Sequence, residues 1–184
     1  TIQRQPAPLM KYAPQPGLLR LVLVSNVRTT KNIEFALDLV AALKRTIKLK
    51  LDIYGNVNDP EYFSFLESKM ASLGVGEEEN FITGVSNIQQ HLNAYDMALH
   101  TAKSESGPLV LIEYLARGIP FLTYKTGEVT TQISDVMEEF MIDNFRVDAW
   151  AQRLQDLHSR GRTAFGAVME RVYNEKFSEE GYYK

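Results

Sequence analysis

Two glutamates, Glu105 and Glu113, bracket the segment Ser-Gly-Pro-Leu-Val-Leu-Ile, and Arg-Gly-Ile-Pro follows shortly after. Two carboxylates at this spacing do chemistry only if the chain brings them to one place, and the flanking residues predict that it does. Residues 97–100, Met-Ala-Leu-His, are an apolar run that predicts a short strand, and residues 101–106 form a polar loop. Gly107-Pro108 marks a helix start, because proline is pre-organised for the first helical position. Residues 109–117 are the predicted helix, Gly118 its stop, and residues 119–124 the next strand. Glu105 then lies in a loop at a strand's carboxyl end, Glu113 lies in the following helix, and both face one crevice. Apolar neighbours surround Glu113, so the helix is expected to be buried on nearly all sides. A buried carboxylate needs partners. The vicinal hydroxyls of a ribose would supply two donors to its two oxygens. The plain alternative is a helix salt bridge to Arg117 at i+4.

Arg28 and Lys31 form a second candidate group, where the first predicted strand turns into the first predicted helix. Two cations at a helix N-terminus oppose the helix dipole, and the conflict disappears if an anion binds between them. Thr29 and Thr30 can cap the helix or donate to the same anion. The alternative is that both cations simply reach into water. Neither a Walker motif nor Gly-x-Gly-x-x-Gly occurs, which removes the main support for an ATPase or a dinucleotide enzyme.

The elements that position these residues alternate along the chain. Residues 1–17 hold Pro6, Pro8, Pro14, Pro16 and Gly17 and are expected to be a linker or lead-in. Residues 18–25 predict a buried strand, 31–46 an amphipathic helix, 49–54 a strand ended by Gly55, and 60–73 a helix from Pro60 to a stop at Gly74. Residues 80–83 predict a short strand and 88–95 a short helix. After the strand, loop, helix and strand already described, 128–139 is expected to be helical and 140–142 a last strand. Residues 147–177 predict one or two helices, broken near Gly161. Such alternation implies an α/β, Rossmann-like three-layer domain with about six parallel strands. Ligands of such sheets bind outside the carboxyl ends of the strands, at a switch point in strand order. That selects the loops at 25–31, 55–59, 84–87, 101–107 and 125–128.

Composition sets limits. With 184 residues and 45% hydrophobic content, the chain suffices for one domain with a real core. A formal charge of −3 gives no electrostatic footprint for nucleic acid. Lys44, Arg45, Lys48 and Lys50 are expected to be a solvated edge. The absence of cysteine excludes disulfides, thiolate catalysis and zinc–thiolate sites, and fits a reducing compartment. His91, His100 and His158 are scattered without metal-ligand spacing. No apolar run approaches membrane-spanning length, and no signal peptide is visible.

Five segments taken together resemble the C-terminal domain of a family 4 retaining glycosyltransferase of GT-B fold, over residues 18–150. They are Val24-Ser25-Asn26-Val27 with Lys31-Asn32, then Leu51-Asp52-Ile53-Tyr54-Gly55, and Phe81-Ile82-Thr83-Gly84. The fourth is Glu105 through Glu113 with Tyr-Leu-Ala-Arg-Gly-Ile-Pro after it, and the fifth is Thr126-Gly127. The tail, Phe177-Ser178-Glu179-Glu180 and then Tyr182, is similar to the family's closing helix. The resemblance implies a domain that holds a nucleotide-sugar donor. Lys31 would contact the donor diphosphate and Glu113 the ribose hydroxyls. Glu105 would lie beside the transferred sugar as the candidate catalytic residue. The amides of Ser106 and Gly107 would hold sugar hydroxyls or a phosphate oxygen, and the Gly55 and Gly84 loops would flank the base. The sequence departs from the family in three places. Ser25-Asn26 stands where Gly-Arg is usual, so Asn26 occupies an arginine's place and Arg28 is the candidate substitute. Ser106-Gly107-Pro108 stands where Phe-Gly is common, and Gln132 where a glutamate is frequent.

The resemblance further implies a partner, the N-terminal acceptor-binding domain of the same parent chain, which supplies the acceptor site and a catalytic histidine. Residues 18–184 would be the nucleotide-sugar-binding half of that enzyme. Transfer of a hexosyl group to a saccharide or lipid-linked acceptor is expected, without metal or cofactor. The setting would be cytoplasmic, and the resemblance admits peripheral membrane association of the parent. Two rivals stand beside this reading. One is a GT-B-type nucleotide-sugar epimerase, against which the segment from Glu105 to Glu113 argues. The other is a non-catalytic flavodoxin-like interaction module, which would want acidic residues where the chain has Ser25-Asn26 and cations.

Overall fold

A computed structural model of the chain describes residues 11–178. Six strands form one parallel sheet: β1 (Leu19–Val24), β2 (Leu49–Tyr54), β3 (Glu79–Ile82), β4 (Met97–His100), β5 (Phe121–Tyr124) and β6 (Met141–Ile142). Their spatial order is β3-β2-β1-β4-β5-β6. Leu21 of β1 pairs with Leu51 of β2 on one side and with Met97 of β4 on the other. The central strands are buried on both faces, which is why their sequences are nearly continuous hydrophobic runs. The α/β, Rossmann-like expectation is met.

Six α-helices cover the sheet: α1 (Ile33–Leu43), α2 (Pro60–Leu73), α3 (Leu109–Ala116), α4 (Gly127–Ile133), α5 (Val147–Arg160) and α6 (Gly166–Lys176). α1 packs on α2 and α5, and α3 packs on α4 and α6. Right-handed crossovers running outward from β1 and from β4 in opposite directions put these two sets on opposite faces. α5 illustrates the sequence logic. Trp150, Leu154 and Leu157 recur at helical spacing and are buried, and the Trp150 ring meets Phe35 of α1 edge to face at 5.0 Å. α2 begins as its sequence predicts, with Pro60 in the first turn and the Asp59 carboxylate accepting from the Tyr62 amide at 3.0 Å.

Several boundaries differ from expectation. The predicted helix over 31–46 splits into a 3-10 turn, Thr29–Lys31, and α1, because Asn32 between them adopts left-handed angles of φ 52 and ψ 44. Asparagine tolerates that region better than most side chains. The short helix over 88–95 is a 3-10 segment, Ile88–Ala94, and the helix over 128–139 closes at Ile133. α3 is not buried on all sides. Only Leu111, Tyr114 and Leu115 are fully covered, while Leu109 is 70% exposed. The exposure is confined to one side of its first turn, since Pro108 before it is buried and Val110 packs against the core.

The lead-in is partly built into the domain. The Tyr12 hydroxyl donates to Asp96 at 2.7 Å, and its ring lies 4.6 Å from the guanidinium of Arg162. Arg162 is buried and spends its donors on the carbonyls of Leu92, Tyr95, Arg117 and Gly118 and on Asn93. It thereby ties the end of α3 to the segment before β4. Pro6, Pro8 and the tail residues Glu179, Glu180 and Tyr182 lie outside the described residues.

Candidate functional site

The sheet order reverses between β1 and β4, so the loops after these strands diverge and leave a crevice at their carboxyl ends. Two of the selected loops, at 25–31 and 101–107, meet there. Thr101 donates its hydroxyl to the Lys31 carbonyl at 3.1 Å, and the Lys103 amide bonds the Thr30 carbonyl at 3.2 Å. The loop bearing Glu105 is also tied to the start of α4. The Glu105 amide donates to the Thr126 hydroxyl at 3.3 Å, and the Glu128 amide to the Ser106 carbonyl at 3.0 Å. Gly127 permits that approach. It has φ +84, and a Cβ there would stand 2.8 Å from the Glu105 carbonyl oxygen.

These ties bring Lys31 and Glu105 together from opposite sides of the crevice. The Lys31 ammonium bonds Glu105 Oε1, and both side chains are largely buried, at 15% and 18% exposed. The same oxygen lies 3.5 Å from Nε2 of His100, the last residue of β4. The hydrogen bond from His100 and the Lys31 ammonium together hold the Glu105 carboxyl down at about 2, against the opposing effect of burial. Glu105 is therefore a fixed anion across the working pH range. His100 was not a candidate from the sequence. Its place at the carboxyl end of a predicted strand is the available signal, and it carries no metal-ligand spacing.

Around this group lies a hollow of about 250 Å³, lined by Ser25, Asn26, Arg28, Lys31, Glu105 and Gly107 among others. Arg28 is exposed, and its side chain has no partner among the described residues. Asn26 is exposed and turns its Oδ1 to the Asn56 amide at 3.3 Å. Ser106 is exposed at the rim. Gly84 is not among the residues that line the hollow. Gly55 has a packing reason to be glycine, since a Cβ there would lie 1.9 Å from the Ser25 carbonyl oxygen. Glu113 is not in the lining of the hollow; its Oε1 accepts from Gln89 Nε2 at 3.1 Å, and the Arg117 side chain is not its partner. A larger hollow, about 560 Å³, lies by Arg20, Lys50 and Glu77 toward the amino ends of the strands, away from these groups.

The helix end that faces the crevice is not the one the sequence suggested. The first amide of α1, that of Ile33, is taken by the Tyr62 hydroxyl at 2.9 Å, and that hydroxyl also bonds Glu34. α3 instead presents its N-terminus: Pro108, Leu109 and Val110 line the hollow, and no side chain caps it. Amides at such an end attract an anion. An anion seated between them and the cations Lys31 and Arg28 would meet donors from two loops. No group of three or more His, Asp or Glu able to hold a metal occurs among the described residues. Among them, too, no helix is long and apolar enough to cross a membrane.

Comparison with known proteins agrees with the fold. The lipopolysaccharide glucosyltransferase WaaG of Escherichia coli is 28% identical over 94 residues, half of this chain and 24% of that protein. The crystal structure of WaaG superposes with a TM-score of 0.74 at 21% identity, covering 90% of this chain and 45% of that one. HepE of Anabaena, in a structure with UDP and glucose, gives 0.77 at 17% identity, covering 88% and 45%. TarM of S. aureus gives 0.77 at 16%, covering 96% and 35%. The chain thus spans less than half the length of each of these proteins. Residues 11–167 match the family described as Glycosyl transferases group 1. That match takes in every strand, the crevice and all the candidate residues, and the chain belongs to the Glycosyl transferases group 1 family.

Proposed function

We propose that the chain is the donor-binding half of a retaining glycosyltransferase, acting with an N-terminal acceptor-binding domain in its parent. The observation that carries this reading is the Lys31–Glu105 pair, set at the sheet's switch point beside the uncapped start of α3. A nucleoside diphosphate fits that arrangement. Its phosphates would take the amides of α3 and the Lys31 and Arg28 cations, and its ribose hydroxyls the Glu113 carboxylate. The sugar would then lie against Glu105 and the Gly107 amide. HepE has been crystallised with UDP-glucose, which makes UDP and UDP-glucose suitable probes.

Chemistry in this site would be electrostatic. As the glycosidic bond to the diphosphate breaks, negative charge grows on the leaving phosphate oxygen and positive charge on the sugar ring. Preorganised dipoles and cations stabilise the first without reorganising. Glu105, held ionised, stabilises the second and positions a sugar hydroxyl. No metal is needed for charge balance on this reading. The transferred group would be a hexosyl unit, the acceptor a saccharide or lipid-linked saccharide, and the setting the cytoplasm, with the parent peripheral to a membrane.

Calorimetry on the isolated chain tests the reading. UDP should bind, uridine much more weakly, and a chelator should change neither. Glu113→Gln should weaken both ligands alike, by about 1.5–3 kcal/mol, the range for hydrogen bonds to charged groups. No transfer should occur without the second domain. Absence of UDP binding, or binding abolished by the chelator, would overturn it.

A further inference from the structure

His100, the last residue of β4, is nearly fully buried beside Glu105. Its ring is held from both sides. Nδ1 lies 2.9 Å from the Thr123 hydroxyl, and Thr123 is its register partner on β5. Nε2 points at Glu105 Oε1. The Thr123 hydroxyl also lies 2.9 Å from the Tyr124 carbonyl, so its single proton has two acceptors. If that proton goes to Nδ1, the ring is neutral and carries its own proton on Nε2. If it goes to Tyr124, both ring nitrogens donate. In either arrangement Nε2–H faces the carboxylate; the remaining tautomer would set a bare lone pair against an anion.

Both Lys31 and His100 act on Oε1, and Oε2 has no hydrogen-bond partner among the described residues while Glu105 borders the hollow. One oxygen is anchored and the other is presented. We infer that His100, braced by Thr123, is a positioning residue that fixes the Glu105 carboxylate so that Oε2 accepts a hydroxyl of the donor sugar. The inference rests on the donor-site reading for its ligand, and on the geometry alone for the orientation of Glu105.

Two measurements on the whole chain separate these. The first is binding of UDP and of UDP-glucose. His100→Leu should leave UDP affinity within about twofold but cut the extra affinity contributed by glucose about tenfold, the worth of one hydrogen bond to a charged group. Glu105→Gln should cut the glucose contribution likewise, and the double variant should be no worse in that contribution than Glu105→Gln alone, as expected for residues acting through one contact. His100→Gln, which keeps a donor near the same place, should restore most of the loss.

The second measurement needs no ligand. The ¹³C titration of the Glu105 carboxyl should move up from about 2 in His100→Leu, stopping short of its ordinary 4.5 because Lys31 remains. If His100→Leu does not fold, His100→Gln and the isosteric Thr123→Val carry both measurements, Thr123→Val moving them in the same direction as His100→Leu by releasing the ring. An unmoved titration in a folded variant, or equal losses for UDP and UDP-glucose, overturns the inference. Failure of the unaltered chain to bind UDP overturns the donor reading, and the titration then still decides whether His100 orients Glu105.

Discussion

Replacing Lys31 by methionine tests the site at its centre. The methionine keeps the buried stem of the side chain and removes only the ammonium. That ammonium rests on Glu105 Oε1, in a pair of which each side chain is more than four-fifths buried. In the free chain its loss leaves Glu105 with His100 alone. When a diphosphate arrives, the attraction lost is that of a charged hydrogen bond, about 1.5–3 kcal/mol. The Glu105 carboxylate repels the phosphates with or without Lys31; at about 6 Å and an effective dielectric of about 20 this is at most about 3 kcal/mol, and water reduces it further. The lost attraction predicts UDP affinity lower by about 1.5–3 kcal/mol, or roughly 10- to 150-fold. Uridine affinity should change little. The sharper consequence is one of sign. Lys31→Met combined with Glu105→Gln should bind UDP better than Lys31→Met alone, by about 1–2 kcal/mol, because the repelling charge is gone. Calorimetry, or NMR-detected titration for weak complexes, reads all four chains. Equal losses for UDP and uridine, or a double variant no better than Lys31→Met, would refute the reasoning.

Gly55→Ala should lower the melting temperature by roughly 6–12 °C, about 3 kcal/mol, since its Cβ would meet the Ser25 carbonyl oxygen at 1.9 Å and both sides of that clash are backbone; an unchanged melt would show that the two loops separate freely. Glu79 on β3 buries both carboxylate oxygens without partners among the described residues, and burial, then the neighbouring Glu78 charge, push its carboxyl up to about 8. The folded chain therefore holds that proton more tightly than the unfolded chain, and stability falls as pH rises from the ordinary carboxylate range toward 8. Glu79→Leu should remove that slope, so its advantage in melting temperature should be larger at pH 8 than at pH 5; parallel curves for the two chains would contradict the burial of Glu79.

Much of the fold was legible in the order of residues. Leu-Arg-Leu-Val-Leu-Val in β1, the turn residues Gly55, Gly74 and Gly118, and the 3.6-residue spacing of Trp150, Leu154 and Leu157 each act locally, so a sequence states them directly. The same holds for the site loops. A parallel sheet binds ligands at its carboxyl ends, and Lys31 and Glu105 lie just past the strands that turned out to be neighbours.

What the sequence did not contain is what depends on which strands and helices lie side by side. Asn32 breaks the first helix because its backbone takes a left-handed turn there, and a periodic pattern does not register one residue's dihedrals. The α1 N-terminus looked open to an anion, yet it is filled by Tyr62 from a helix 29 residues on. The sequence of α3 predicts burial on nearly all sides, but Leu109 is exposed and the uncapped start of the helix lines the crevice. His100 looked isolated because its two partners, Thr123 and Glu105, reach it only through the pairing of β4 with β5 and the loop held by Thr126. The residue types and their loops were thus set by local sequence. The contact of Lys31 and His100 on a single oxygen of Glu105 was set by strand order and register, because hydrogen bonds act over about 3 Å and only packing brings separated residues that close.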